Sequence, residues 1–327
     1  MTTKQIDLLN IGLMLLALAA AFAVPFELFL FSYAVLGPLH YLTEITWLHK
    51  RDYFTTSKFD FVWLGVLCVF ATLFVVLFTE YASIANILIF VAFFSALAMV
   101  LFKNILYKVI FIAVATALGT AISESPPFFF LFAIFLPTLI HVFLFTGLFM
   151  ISGAIKSKSI PGVAALIVFV FCGAICFLIK PDFAWYKVTE YAQSSIIESG
   201  FVQVNQAIIY LLKLGTNTRE AVFSSAVGLG IMRFIAFAYT YHYLNWFSKT
   251  SVIKWHEVPR HWFISVMVLW VASVGLYIYD YRTGLIALYF LSMLHVFLEF
   301  PLNYRSVQHI GESAWKSLPL SANRIRR

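Results

Sequence analysis

Two short stretches place a histidine and a glutamate one helical turn apart inside apolar sequence: GPLHYLTE, with His40 and Glu44, and LHVFLEF, with His295 and Glu299. A separation of four residues sets both side chains on one face of a helix, so each stretch offers a His/Glu ladder. Two further apolar stretches, LIHVFLFTG and YTYHYLNWF, carry His141 and His242. An imidazole or a carboxylate in hydrocarbon is costly without partners, so such groups face the interior of a helical bundle. A lone histidine in a membrane span is more often a hydrogen-bonded packing residue. Four of them, two with a glutamate at the same spacing, point instead to a divalent cation. Imidazole suits iron, zinc and copper, and the neighbouring carboxylates make Fe2+ the first choice, with zinc or copper as alternatives. Glu44 and Glu299 are the candidate catalytic carboxylates. They serve either as direct ligands or as acceptors that fix the second ring N–H of a ligating histidine.

The elements that must position these groups follow from composition. Of 327 residues, 62% are hydrophobic and 11% charged, with a mean hydropathy of +0.92. A soluble domain carries about 25% charged residues, so the chain reads as a polytopic, all-α membrane bundle. Apolar runs of spanning length fall at 8–24, 28–48, 61–78, 84–102, 105–122, 128–153, 162–179, 221–246, 262–280 and 285–301. That makes about ten transmembrane helices in one domain over 1–327. The first run ends at Pro25-Phe26-Glu27 and contains ALAAAFA, which has the look of a cleavage region. Its basic flank is weak, and it is kept as a span. With the N-terminus inside, Lys50, Arg51, Lys103, Lys108, Lys156 and Lys158 collect on the inner side, whereas the short loops TEYAS and SESPP carry no Lys or Arg. The expected topology is N-in and C-in, in the cytoplasmic (inner) membrane. The net charge of +7 is then a topology signal and a contact for anionic membrane lipid, and no nucleic-acid module is required.

One connection is long. Residues 180–220 form an outer loop, within which FVQVNQAIIYLLKL (201–214) reads as an amphipathic helix that lies on the interface or caps the bundle. Cys68, Cys172 and Cys176 sit in apolar runs without metal or redox spacing and read as packing residues. Arg233 is a second kind of buried charge, expected either to pair with a glutamate or to snorkel. Asn245, Asn303, Tyr239, Tyr241 and Tyr243 are candidates for a polar pocket lining, although an interfacial aromatic belt accounts for the tyrosines equally well.

In this scheme His40, His141, His242 and His295 lie on spans two, six, eight and ten, all running from outside to inside, and none of the eight histidines is on the outer side. His256 and His261, in KTSVIKWHEVPRHW, join His49 and His309 at the inner boundary. Those four make a candidate second metal site, or a lid over the first, against the plainer reading of a basic interfacial loop.

With these four segments in hand, the chain resembles the Brp/Blh family of membrane β-carotene 15,15′-dioxygenases. GPLHYLTE is similar to a G-x-P-H-x-x-x-D/E segment, LIHVFLFT to an I-H-F-G-type segment, YTYHYLNWF to an aromatic-H-S segment and LHVFLEF to a final H-x-x-x-x-D segment. The order Gly-Pro-Leu-His, the missing Gly after His141 and the lack of a paired histidine after His242 set this chain apart. The resemblance implies non-haem iron held by His40, His141, His242 and His295, O2 as co-substrate and a lipophilic, carotenoid-like substrate. Two alternatives use the same residues. One is a bis-histidine haem electron carrier, which leaves the glutamates unexplained. The other is a metal- or proton-coupled transporter with His/Glu carriers.

Overall fold

A computed structural model describes residues 2–180, 186–249, 254 and 258–317. Among them every regular element is helical and no strand occurs. The main helices are α1 (Thr3–Ala23), α2 (Pro25–His49), α3 (Asp60–Val76), α4 (Ala82–Leu101), α5 (Ile105–Ile122), α6 (Pro126–Ser157) and α7 (Ile160–Leu178). After the long loop come α8 (Glu190–Glu198), α9 (Val202–Leu211), α10 (Ala226–Ser248), α11 (Arg260–Tyr279) and α12 (Tyr281–Ser317). Eight of the described helices are long and apolar enough to cross a membrane; α3, at 17 residues, is a shorter apolar helix. The eighth expected span, α10, is absent from those eight for a physical reason. Of its 23 residues, 17 are buried, so protein rather than lipid surrounds it and its sequence need not be uniformly apolar. By contrast α5 and α11 turn most of their surface outward, with Ile105, Tyr107, Val268 and Ile278 exposed, the pattern of helices that face lipid.

α10 and α12 are the axes of the bundle. α10 packs against α1, α2 and α7, whereas α12 packs against α2, α3, α4, α6 and α11. Each nucleates its own apolar core: one around Phe26, Phe29, Phe237 and Tyr241, the other around Leu64, Phe90, Phe297 and Phe300. α2 and α6 contribute to both cores, and the four histidines lie along that seam.

Two helices depart from regular α geometry just ahead of their histidines. α2 contains a π-helical turn at Ser32–Leu36 before His40, and α6 is π-helical from Phe129 to Phe145, around Pro137 and His141. Such segments concentrate at functional sites, because they re-aim the residues that follow. α12 does not stop at 301 as the sequence suggests. It runs through Pro301 to Ser317, with Phe297 and Phe300, in the turn before the proline, fully buried.

The long loop carries the short helix α8 and, where the sequence reads as an amphipathic helix at 201–214, the helix α9. It is tied down at Glu27, whose carboxylate accepts from Tyr186 Oη at 2.7 Å and from Thr189 N and Oγ1 at 3.1 and 2.9 Å. α9 caps the bundle, with Asn205 Nδ2 donating to the Gly228 carbonyl at 3.0 Å. Arg233 meets no glutamate. It donates to the Ile179 carbonyl at 3.1 Å and lies over the Phe22 ring at 4.3 Å, reaching toward the end of α7. The cysteines are free and buried.

A buried ion pair joins α3 to α5, with Lys108 Nζ 2.8 and 2.7 Å from the two carboxylate oxygens of Asp60. Removing one partner of a buried pair leaves an uncompensated charge, at a cost of about 3–5 kcal/mol. Lys108→Met is therefore expected to lower stability by about that amount, and Asp60→Asn/Lys108→Met to recover most of it. Thermal unfolding in mild detergent checks this, and equal loss in the single and double variants would contradict it.

Candidate metal centre

The side chains of His40, His141, His242 and His295 converge from α2, α6, α10 and α12 into one cluster, all four buried. His40 Nε2 stands 3.1 Å from His242 Nε2, and His141 Nε2 stands 3.1 Å from His295 Nε2. Ring centroids are 4.6 Å apart for His40 and His242, 4.8 Å for His141 and His242, and 4.9 Å for His141 and His295. His40, His141 and His295 each offer a nitrogen within 4.8 Å of the other two. Ligands about 2.1 Å from one ion lie about 3.0–3.4 Å from their neighbours, so the nitrogen pairs fit a single cation. A porphyrin does not fit the same nitrogens. Axial imidazoles at about 2.0–2.1 Å from a haem iron stand about 4 Å apart, with the macrocycle filling the gap between the rings.

The two carboxylates take different posts. Glu44 Oε2 is 3.1 Å from His40 Nε2, the nitrogen that also faces His242. Glu299 was expected to pair with His295 on its own helix, but its Oε2 lies 3.0 Å from Nδ1 of His141, across the interface between α12 and α6. Glu44 thus borders the point where the Nε2 atoms meet, whereas Glu299 stands behind a ring whose Nε2 faces that point. Neither Oε2 has a hydrogen bond of good geometry, and both residues are almost fully buried, at 3% and 1% exposure. The Glu44 approach to His40 Nε2 fits a shared cation, whereas Glu299 stands where an acceptor for an N–H at His141 Nδ1 would stand. Four neutral imidazoles and two carboxylates carry two negative charges, which one divalent cation cancels.

Residues without a role in the sequence reading hold the rings in place. Thr146 Oγ1 lies 2.8 Å from His242 Nδ1, which leaves Nε2 of that ring for the cluster. Thr146 follows His141 by five residues, a spacing that a π segment brings onto one face and an α-helix does not. Trp246 Nε1 donates to Thr43 Oγ1 at 2.9 Å, and Thr43 in turn donates to the His40 carbonyl at 2.8 Å. Gly37 is required for close approach: a Cβ there would stand 3.2 Å from the Tyr243 hydroxyl, whose ring packs on His40.

Cavities lie on both sides of the cluster. A large one, about 730 Å3, reaches His141 and His295 past Tyr33, Thr138, Tyr239 and Ser292, and α9 helps to close it. A small one, about 180 Å3, is lined by His40, His242, Glu44, Thr146, Asn245 and Glu299. Apart from Val142 and Tyr243, directly after their histidines, residues that precede each histidine line the first cavity and residues that follow it line the second, so the four helices run parallel through the site. Tyr239, Tyr243 and Asn245 line these cavities, whereas Tyr241 donates to Asn10 Oδ1 at 3.1 Å and Asn303 is buried apart from them. Lys249, just past α10, lines the small cavity. Burial lowers its pKa, and the negative charges of Glu44, Glu299 and Asp7 oppose that shift.

The candidate second site finds no support in the described residues. His49 Nδ1 lies 3.1 Å from Tyr53 Oη, His309 Nδ1 lies 2.9 Å from Ser152 Oγ, and His261 is exposed beside Trp262. His256 lies outside the described residues. Comparison with protein-family models, with curated proteins and with solved structures found no match.

Losing a partner that orients a ligating ring costs about 10–100-fold in metal affinity. Thr146→Val, close in size but without the hydroxyl, is expected to weaken metal binding by about that factor with helicity retained. Competition with a chelator of known affinity measures it, and an unchanged affinity would remove Thr146 from the site.

Proposed function

We propose that this protein is a membrane-embedded non-haem iron oxidoreductase that acts on a lipophilic substrate with O2. The observation that carries this reading is a buried, four-imidazole cluster with an apolar cavity on one side and carboxylates on the other. His40, His141, His242 and His295 would hold the ion, Glu44 would complete its coordination, and Glu299 and Thr146 would orient the rings of His141 and His242. Bound iron supplies the redox chemistry with O2. The chain itself binds and orients the substrate and keeps water out. The large cavity is within the range of small-molecule sites, and its aromatic walls end at His141 and His295, where substrate and O2 would approach the ion. A polyene of the carotenoid kind is the substrate class that the resemblance to the Brp/Blh dioxygenases implies, and the apolar cavity suits it.

The same reading takes ten spans, both termini inside the cytoplasmic membrane, and the 180–220 loop outside. The ten helical runs and the parallel course of the four ligand-bearing helices support the count, since spans two, six, eight and ten have an odd number of crossings between neighbours, and the basic residues of the short loops support the orientation. The large cavity then opens toward the outer leaflet and the small one toward the inner side. The cavities on both sides and the two π-helical breaks also favour a second reading, a divalent-cation transporter with the imidazoles as its transit site. Uptake of Mn2+ or Fe2+ into proteoliposomes separates the two, because an enzyme holds its ion and shows no flux.

Metal analysis of protein purified in mild detergent tests the site. About one iron per chain is expected, lost in His40→Ala and His295→Ala. Glu299→Gln should weaken affinity by about 10–100-fold, and Glu44→Gln by more. Full loading of the Glu44→Gln/Glu299→Gln double variant would show that the carboxylates serve packing or substrate and not the ion.

A further inference from the structure

The small cavity does not end at the carboxylates. Phe149, Asn245 and Lys249 line it and also line a third cavity, about 240 Å3, between α1, α6, α7 and α10. That third cavity extends to Asp7 and to Thr3, which is exposed at the start of α1. Asp7 Oδ2 accepts from Ser159 Oγ at 2.7 Å, so the carboxylate is fixed in place at the cavity wall. Lys249 thus stands at the junction of two voids, with Glu44 and Glu299 on one side and Asp7 on the other, and all three carboxylates act on its charge. In the inner void, Glu44 and Glu299 are buried lining residues whose Oε2 atoms stand against His40 Nε2 and His141 Nδ1. Buried carboxylates that line one void, with a second void leading from it toward the chain's exposed first turn, are the anatomy of a route.

We propose that the joined small and third cavities are the loading route by which a hydrated divalent cation reaches the four imidazoles. Asp7 is its first contact, Lys249 the electrostatic gate at the junction, and Glu44 and Glu299 the carboxylates that receive it. This rests on the four-histidine metal reading. The gate follows from charge alone. With no ion bound, Lys249 is the cationic side chain that lines the same void as the two receiving carboxylates. An arriving cation must displace its attraction to them, so Lys249 competes for the same carboxylates during arrival and repels the ion once it is bound. It therefore slows loading and weakens the resting affinity. The cation and a lipophilic substrate would then reach the cluster from opposite sides, the first past Glu44 and Glu299 and the second past His141 and His295.

Loading of chelator-stripped, full-length protein with Co2+ in mild detergent, followed by the visible d–d absorption in a stopped-flow instrument, tests the route. Fixed charges lining a cleft change association rates by about 10–10³-fold. Lys249→Met is expected to raise the loading rate about tenfold and to tighten Co2+ binding in competition with a chelator, with an unchanged final spectrum. Asp7→Asn is expected to slow loading about tenfold, again with an unchanged final spectrum. Lys249→Gln gives the same test if the Met variant does not accumulate. Loading rates in these variants equal to the wild type, with the normal final spectrum, would overturn the route and leave the histidine site standing. A wild-type protein that takes up no Co2+ would overturn both.

Discussion

The fold depends on how four imidazoles and two carboxylates are kept in a bundle core without water. No hydrophobic packing satisfies such groups, and any arrangement that leaves them unpaired costs more than a helical domain can tolerate. Bringing the four rings into one cluster, with Nε2 atoms 3.1 Å apart in the His40–His242 and His141–His295 pairs, solves the problem if a divalent cation lies among them. Much else follows from that constraint. α10 is enclosed by protein because it brings His242 and Lys249 to the centre, and α2 and α6 carry π turns where a regular helix would turn His40 and His141 away from it.

The arrangement also gives the site two unlike faces. The nitrogens of His141 and His295 border a large cavity with tyrosine and aliphatic walls, whereas those of His40 and His242 border a small cavity that holds both carboxylates. A reaction on an apolar molecule needs the first face dry and shaped, and a cation that enters hydrated needs charge on the second. Because the four helices run parallel through the site, one direction of travel along the chain leads from the apolar face to the charged face in every one of them. α9, fixed through Asn205 and backed by the Glu27 contacts of the preceding segment, covers the apolar face at its far end.

The sequence makes legible whatever is local. The ten apolar runs correspond to helices because length and hydropathy are properties of single segments, and His40 with Glu44 is readable because four residues span one turn of one helix. What depends on neighbours is not. Glu299 has the same spacing from His295, yet it meets His141, because the packing of α12 on α6 decides which ring it faces. Thr146 is hidden by its five-residue offset from His141, which only a π segment converts into a shared face. Lys249 reads as one more basic residue at a helix end until α10 is seen to run down the middle of the bundle. Pro301 marks a stop in sequence terms, but α12 is anchored by Phe297 and Phe300 in the turn before it and by Asn303 and Ser306 beyond it, all buried. The histidines of the inner boundary show the opposite failure: shared sidedness put His49, His261 and His309 together on paper, while each has its own neighbour in space.

The central claim is that four imidazoles from four helices meet on one ion. X-ray absorption spectroscopy at the edge of the bound metal, on protein purified without added chelator, tests it most directly. Nitrogen and oxygen scatterers only are expected, at about 2.0–2.2 Å, with the outer-shell pattern of about four imidazole rings, reduced by one ring in each single His→Ala variant that still retains metal. A first shell that contains sulfur, or one with no imidazole pattern, would contradict it.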